Sequence, residues 1–132
     1  MIILPDTNVW IKLLNAKDTP VTERLRTVNP NKIMFCSMVK AELYFGAYRS
    51  SRKRENLALL DRLFQTYGSL PFDDRAAKIS GNIRARLAAI GSPIGPNDLL
   101  IAAIAMAHRA TLITHNTMEI GRVTGLKIQD WE

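Results

Sequence analysis

The 132-residue chain carries 18 Lys and Arg against 12 Asp and Glu, so its formal net charge is +6, and 47% of its residues are hydrophobic. These values are typical of one globular domain, spanning residues 1–132, whose excess positive charge favours a polyanionic partner. No stretch reaches the roughly 20 apolar residues that cross a bilayer, and MIILPD lacks the basic start of a signal peptide. Because Cys36 is the single cysteine, no internal disulfide can form, and we expect a cytoplasmic protein.

Apolar runs and stretches of helical period alternate along the first half of the chain. MIIL predicts a strand and VWIKLLN a short helix. TPVTERLRTVN predicts a helix that Thr19 caps and Pro20 begins. KIMFCS then predicts a second strand, and SMVKAELYFGAY predicts a helix capped by Ser37.

The second half continues this alternation. RENLALLDRLFQTY predicts a helix, SLPF a short strand, and the next helix is capped by Asp73 or Asp74 and stopped by Gly91. DLLIAAIAMAH is apolar on every side and predicts a buried helix, TLIT predicts a strand, and LKIQDW a last one. The order predicts an α/β fold with a mainly parallel sheet of four or five strands and helices on both faces.

Acidic residues fall where the predicted strands end, which is the edge at which parallel α/β proteins place their sites. Asp6 follows the first strand, Asn116 and Glu119 follow TLIT, and Asp98 lies at the start of the buried helix. Glu42 interrupts a helix face that is otherwise formed by Met38, Val39, Phe45 and Gly46. Burying such carboxylates together costs several kcal/mol unless a cation lies among them.

The donors in this set are all oxygens, which suit Mg²⁺ or Mn²⁺. Zinc is not expected, because Cys36, His108 and His115 show no paired ligand spacing. Without Asp6, Glu42, Asp98 and Glu119, 8 acids remain against 18 bases, a balance of +10 outside the predicted pocket. A basic surface around an acidic metal site suits a polymer with a phosphate backbone.

Each polar residue of the set also has a simpler interpretation. Asp6 could act only as a helix cap, and Asp98 or Glu119 could be an acid that favours the start of a helix. Glu42 could reach solvent if its helix turns another face to the core. Asn116 could be a turn residue. Arg84, Arg86 and His115 are candidate RNA contacts that could equally be ordinary surface residues.

Four blocks resemble the PIN-domain ribonucleases, and among them the VapC toxins of bacterial toxin–antitoxin pairs. The blocks are MIILPDTNVWI, SMVKAELYFGA, RARLAAIGSPIGPNDLLIAAIA and ATLITHNTMEIGRVTGLKIQDW, which follow the family order over nearly the whole chain. The resemblance implies a PIN-like three-layer sandwich and a metal bound by Asp6, Glu42 and Asp98. It further implies a catalytic set completed by Asn116 and Glu119, with Thr7 and Ser37 orienting water or ligands.

The activity that the resemblance implies is Mg²⁺-dependent endoribonuclease cleavage, with Mn²⁺ as a plausible substitute. The implied substrate is tRNA, with the block around IGPND similar to relatives that act on initiator tRNA, and the outcome is inhibited translation. The implied partners are a VapB-type antitoxin and a second copy of the chain, which would assemble into a larger complex. No interaction with a membrane is implied.

The sequence departs from the family pattern at three positions: Pro5 replaces an aliphatic residue, Ile120 replaces Phe, and Asn116 stands where Asp is also found. An alternative is therefore a catalytically inactive PIN domain that binds RNA or protein. An aspartyl-phosphate receiver or phosphatase fits less well, since Asp6 has no second carboxylate two residues further on.

Overall fold

The central sheet is parallel throughout the computed structural model, which describes residues 1–15 and 17–132. One part of the sheet has the order β1–β4–β5 and the other pairs β2 with β3. An isolated parallel bridge between Ile3 and Ile33 joins the two parts. The strands are β1 (Ile3–Pro5), β2 (Met34–Cys36), β3 (Gly68–Leu70), β4 (Thr111–Ile113) and β5 (Ile128–Gln129). The predicted parallel sheet is thus confirmed.

Helices connect successive strands, and several begin or end at the predicted residues. They are α1 (Thr7–Leu14), α2 (Pro20–Thr27), α3 (Ser37–Arg49), α4 (Lys53–Thr66), α5 (Asp74–Ala89), α6 (Pro96–Ala107) and α7 (Thr117–Ile120). Thr19 caps α2, Asp73 caps α5, and Gly91 follows α5 with a φ of 67°, a conformation that glycine adopts without strain. The predicted cap of α3 was wrong: Ser37 is its first residue, and Cys36 occupies the cap position without a side-chain hydrogen bond.

Aromatic packing and one apolar helix form the core behind the carboxyl edge of the sheet. The rings of Trp10 and Phe35 are fully buried and stack with centroids 3.9 Å apart. Helix α6 buries Leu99 and residues 101–105, as its all-apolar sequence predicted. Among the described residues, no helix is both long and apolar enough to span a membrane.

Pro5 lies at a central position of the sheet and interrupts one of its ladders. The backbone N–H of Asp6 donates to the carbonyl of Ile113, 2.9 Å away, so Asp6 faces β4. Because successive residues of a strand direct their backbone groups to opposite neighbours, Pro5 faces β2, to which it has no N–H to donate. The two strands lie side by side, but their backbone pairing is limited to the bridge at Ile3 and Ile33.

Candidate active site

Asp6 combines the two roles that its sequence position allowed. It ends β1 and caps α1, since its Oδ1 accepts a hydrogen bond of 3.1 Å from the backbone N–H of Val9. The hydroxyl of Thr114, which directly follows β4, also lies near this carboxylate and acts to lower its pKa. Burial nevertheless raises the pKa of Asp6, which means that these bonds do not fully replace the lost water.

Glu42 lies half-buried on α3, beside α1. The Thr7 hydroxyl donates a 3.0 Å hydrogen bond to its Oε1. The predicted apolar face around Glu42 was wrong at Phe45, whose side chain is 62% exposed. The buried stripe of α3 consists instead of Val39, Leu43 and Ala47, so Glu42 lies at the margin of that stripe.

Asp98 is the acid whose pKa responds to the other three predicted acids. It is the third residue of α6 and is half-buried. Burial raises its pKa, and the negative charges of Glu119, Glu42 and Asp6 raise it further. Carboxylates from four separate parts of the chain therefore share one electrostatic environment.

Glu119 is fixed by two donors at the rim of this environment. The backbone N–H of Gly95 donates to its Oε1 at 2.8 Å, and Nδ2 of Asn116 lies 3.4 Å from its Oε2. These two contacts lower the pKa of Glu119. A Cβ added to Gly95 would lie 3.7 Å from Oδ2 of Asp98 and 3.8 Å from Oε1 of Glu119. The glycine therefore leaves open the space that a side chain would fill between two carboxylates.

Among the described residues, the four acids Asp6, Glu42, Asp98 and Glu119 are not held in ion pairs with basic side chains. Arg122 acts on Glu119 only at longer range, where its positive charge helps to lower the pKa of that carboxyl. Within the described part of the chain, no three His, Cys, Asp or Glu side chains are grouped closely enough to hold an ion by themselves. Such an open, oxygen-only set fits Mg²⁺, which proteins commonly hold through one or two carboxylates while several waters remain bound. The individual ligands stay a prediction.

The other predicted site residues differ in how close they come to the acids. Ser37 is exposed and makes no side-chain hydrogen bond to the acids within the described chain. His115 lines a cleft together with Asp6 and Asn116, and its Nδ1 lies 2.9 Å from Oδ2 of Asp130. Asn116 is exposed at the cap position of α7.

Three residues of this region were missed by the sequence analysis. They are Thr114, which contacts Asp6, Gly95, which binds Glu119, and Arg122, whose Nη1 donates to the carbonyl of Pro93 at 3.1 Å. Their positions in the sequence could have indicated them, because Thr114 directly follows β4, Gly95 precedes α6 and Arg122 follows α7. Each lies within three residues of Asn116, Asp98 or Glu119.

Comparison with known proteins identifies the family. The PIN-domain family model matches residues 3–126. The chain belongs to the PIN-domain family. This PIN domain is 37% identical over 126 residues to the tRNA(fMet)-specific endonuclease VapC of Shigella flexneri, covering 96% of the chain and 95% of that relative. It is 33% identical to ribonuclease VapC2 of Rickettsia felis, covering 100% and 99% of the two chains.

Solved structures show the same relationship. The PIN domain matches VapBC2 of Rickettsia felis, bound to a DNA fragment from its promoter, with a TM-score of 0.91, 32% identity and complete coverage of both chains. DNA-bound VapBC of Salmonella typhimurium matches with a TM-score of 0.91, 33% identity and complete coverage of both chains. The predicted α/β PIN fold and VapC-type nuclease class are thereby confirmed.

Proposed function

We propose that this PIN domain is a Mg²⁺-dependent endoribonuclease toxin that cleaves initiator tRNA in the cytoplasm, inhibits translation and is neutralised by a VapB-type antitoxin. The observation that carries the proposal is that the charges of Glu119, Glu42 and Asp6 together raise the pKa of Asp98, while none of the four acids forms an ion pair with a basic side chain among the described residues. The relative from Shigella flexneri is named a tRNA(fMet)-specific endonuclease, which supports this choice of substrate.

Asp6, Glu42 and Asp98 would hold the metal, with Mn²⁺ as a plausible substitute. A bound Mg²⁺ would lower the pKa of a coordinated water and stabilise negative charge on a phosphodiester. The chain's own groups prepare this site in three ways. Thr7 orients Glu42, Thr114 and the start of α1 orient Asp6, and Glu119 holds the loop that leads into α6.

A groove beside Glu42 supports the proposed antitoxin. It has a volume of about 300 Å³ and lies between α1, α3 and α4, with a mainly apolar lining that includes Ile11, Leu14, Leu43, Leu59 and Leu60. Ile11 and Leu59 are 41% and 38% exposed and belong to this one apolar lining, and a contiguous apolar surface of this kind is what marks a partner-binding site. An antitoxin helix laid into this groove would bring a basic side chain within reach of Glu42.

The nuclease proposal is tested with purified protein and an initiator tRNA transcript. We expect fragments in Mg²⁺ or Mn²⁺ and intact tRNA in EDTA. Asp98→Asn should lower the rate at least about 10³-fold, because the metal loses a ligand. Asp74→Asn is the matched control, since Asp74 is also an acid in the first turn of a helix but lies exposed on α5. RNA binding without cleavage at any metal concentration would instead favour the non-catalytic alternative.

The antitoxin proposal has a separate test. Leu59→Glu places a charge in the apolar groove, so the variant should cleave RNA normally but escape neutralisation by the antitoxin that its neighbouring gene encodes. Neutralisation of Leu59→Glu at the same antitoxin concentration as the unmodified protein would assign the antitoxin to a different surface.

A further inference from the structure

A second cleft lies next to the acidic site, on the side of α5 and the segment that follows α7. It has a volume of about 210 Å³. Its apolar lining comes from Ile83, Leu87, Ile90 and Val123. Its rim carries the guanidinium groups of Arg86 and Arg122. Ile83, Leu87 and Val123 are buried, whereas Ile90 is 69% exposed at the mouth. The cleft therefore combines an apolar surface with concentrated positive charge.

Arg122 connects this cleft to the acidic site. Its backbone N–H donates to the carbonyl of Glu119 at 3.2 Å, so the two residues are one turn apart. Its Nη1 donates to the carbonyl of Pro93, at the start of the loop whose Gly95 binds Glu119. Arg122 therefore belongs to the lining of the cleft and also contacts the loop that supports Glu119.

The positive charge at the rim is exposed, and that of Arg122 also acts on Glu119, whose pKa it helps to lower. Within the described chain, neither Arg86 nor Arg122 forms an ion pair, and both are exposed. A guanidinium has five N–H donors, and Arg122 uses one N–H of Nη1 to bind the carbonyl of Pro93. Its other N–H groups can still bind a ligand. Ile83 and Arg86 on α5 and Ile90 at its C-terminal cap line this cleft together, whereas Arg84 does not.

We propose that this cleft binds the RNA substrate at a nucleotide outside the metal site, with Arg86 and Arg122 contacting phosphate and a base packing against Ile90 and the apolar floor. The inference rests on the proposed function, because it assigns a second contact to the same substrate. Guanidinium groups bind phosphate through paired donors, and apolar surfaces take bases without requiring a particular sequence. A second copy of the chain is a poorer occupant, since a symmetric contact would bring the same arginines of both copies together.

The experiment measures RNA affinity without cleavage. Fluorescently labelled initiator tRNA and a short single-stranded oligoribonucleotide are titrated with the Asp98→Asn protein in EDTA, at several salt concentrations. Adding Arg86→Ala should weaken binding about 5- to 10-fold and lower the slope of log affinity against log salt by about 0.7, the value for one single-strand phosphate contact. Arg86→Lys should recover much of the affinity, since it retains the charge.

Arg62→Ala is the matched control, because Arg62 is also an exposed helical arginine, but it lies on α4, which contacts α3 and β3. We expect the Asp98→Asn protein with added Arg62→Ala to have the same RNA affinity and the same salt slope as the Asp98→Asn protein alone. In the active protein, Arg86→Ala should raise KM about 5- to 10-fold and leave kcat within about 2-fold, as expected for lost substrate binding. Arg122→Ala should add to both losses, and Arg122→Lys should restore part of the affinity.

The possible failures are distinguishable. If Arg86→Ala and Arg62→Ala have equal affinity while the unmodified protein cleaves in Mg²⁺, the cleft assignment is overturned and the nuclease proposal stands. If RNA binding depends on Arg86 but no metal supports cleavage, the nuclease proposal fails and the cleft assignment stands. If Arg86→Ala changes the sedimentation of the protein but not its RNA affinity, the cleft is an interface between copies, and our assignment is wrong.

Discussion

The hydroxyl of Thr7 donates a 3.0 Å hydrogen bond to Oε1 of Glu42, joining the start of α1 to the middle of α3. This bond spans two parts of the chain whose strands, β1 and β2, share only one bridge. The Thr7 hydroxyl therefore fixes the Glu42 carboxylate relative to the start of α1, where backbone pairing between the strands contributes little.

Removing this hydroxyl should weaken the metal site. Thr7→Val keeps the shape of the side chain and loses the donor, so we expect an apparent Mg²⁺ affinity about 10-fold lower, measured as the metal concentration for half-maximal cleavage. Thr7→Ser keeps the donor and should stay within about 2-fold of the unmodified protein. Equal losses in the two variants would contradict a role for the hydroxyl.

The cap and the proposed metal ligand at Asp6 can be separated by substitution. Asn is as good a helix cap as Asp, whereas Ala costs about 1 kcal/mol at such a position. Asp6→Asn should therefore unfold at about the same temperature as the unmodified protein or slightly above it, and Asp6→Ala should unfold several degrees lower. Both should lose RNA cleavage, so activity would not follow stability if Asp6 binds metal. Substantial cleavage by Asp6→Asn would limit this residue to its cap.

Asp98 should destabilise the metal-free protein at neutral pH. Its pKa is raised from the ordinary value of 3.8, so the folded state binds the proton more tightly than the unfolded state does. The cost is therefore present above the raised pKa and disappears as the pH falls below the ordinary value. In EDTA at pH 7, we expect Asp98→Asn to raise the unfolding midpoint by about 2–4 °C, a gain kept small because the group is partly solvated and favours its helix start.

Two further measurements follow from this sign. The difference between Asp98→Asn and the unmodified protein should shrink as the pH is lowered towards 4. At pH 7, Mg²⁺ should raise the midpoint of the unmodified protein and leave that of Asp98→Asn almost unchanged, because a ligand stabilises only the state that binds it. A midpoint for Asp98→Asn that lies below that of the unmodified protein in EDTA would contradict the proposed repulsion.

Gly95→Ala tests the open space between Asp98 and Glu119. The added Cβ would be at ordinary contact distance, 3.7 Å and 3.8 Å from the two carboxylate oxygens, so the fold should tolerate it. The methyl group would nevertheless occupy room needed for an ion or its waters. We expect an unchanged unfolding midpoint in EDTA. In cleavage assays, the Mg²⁺ concentration for half-maximal activity should rise about 10-fold. Gly81→Ala, within α5 and free of close contacts, is the control.

The sequence predicted the parts of this molecule that depend on local pattern. The alternation of apolar runs with helical period identified the parallel sheet, and capping residues such as Thr19 and Asp73 identified helix starts. Asp6, Asp98 and Glu119 were located because they follow strands or begin helices, which are positions that chain order alone defines.

What the sequence did not predict depends on contacts between distant segments. Phe45 has the spacing of a buried residue, and no local pattern indicates that its side chain stays 62% exposed, with the Arg49 guanidinium 5.2 Å from its ring centroid. Ser37 is a good capping residue, but the chain enters α3 one position earlier. Arg122 is one of many basic residues, and only the folded chain places it beside Arg86.

Pro5 has a mechanical consequence for the residue that follows it. The missing N–H leaves β1 firmly paired with β4 and only loosely paired with β2, so the carboxylates form two groups with different supports. Asp6 directly follows β1, which pairs with β4, and Glu42 lies on α3, which follows β2. The Trp10–Phe35 stack and the Thr7–Glu42 hydrogen bond are the side-chain contacts that join these two groups. A substitution in the aromatic stack would therefore change the distance between Asp6 and Glu42 although neither acid is altered.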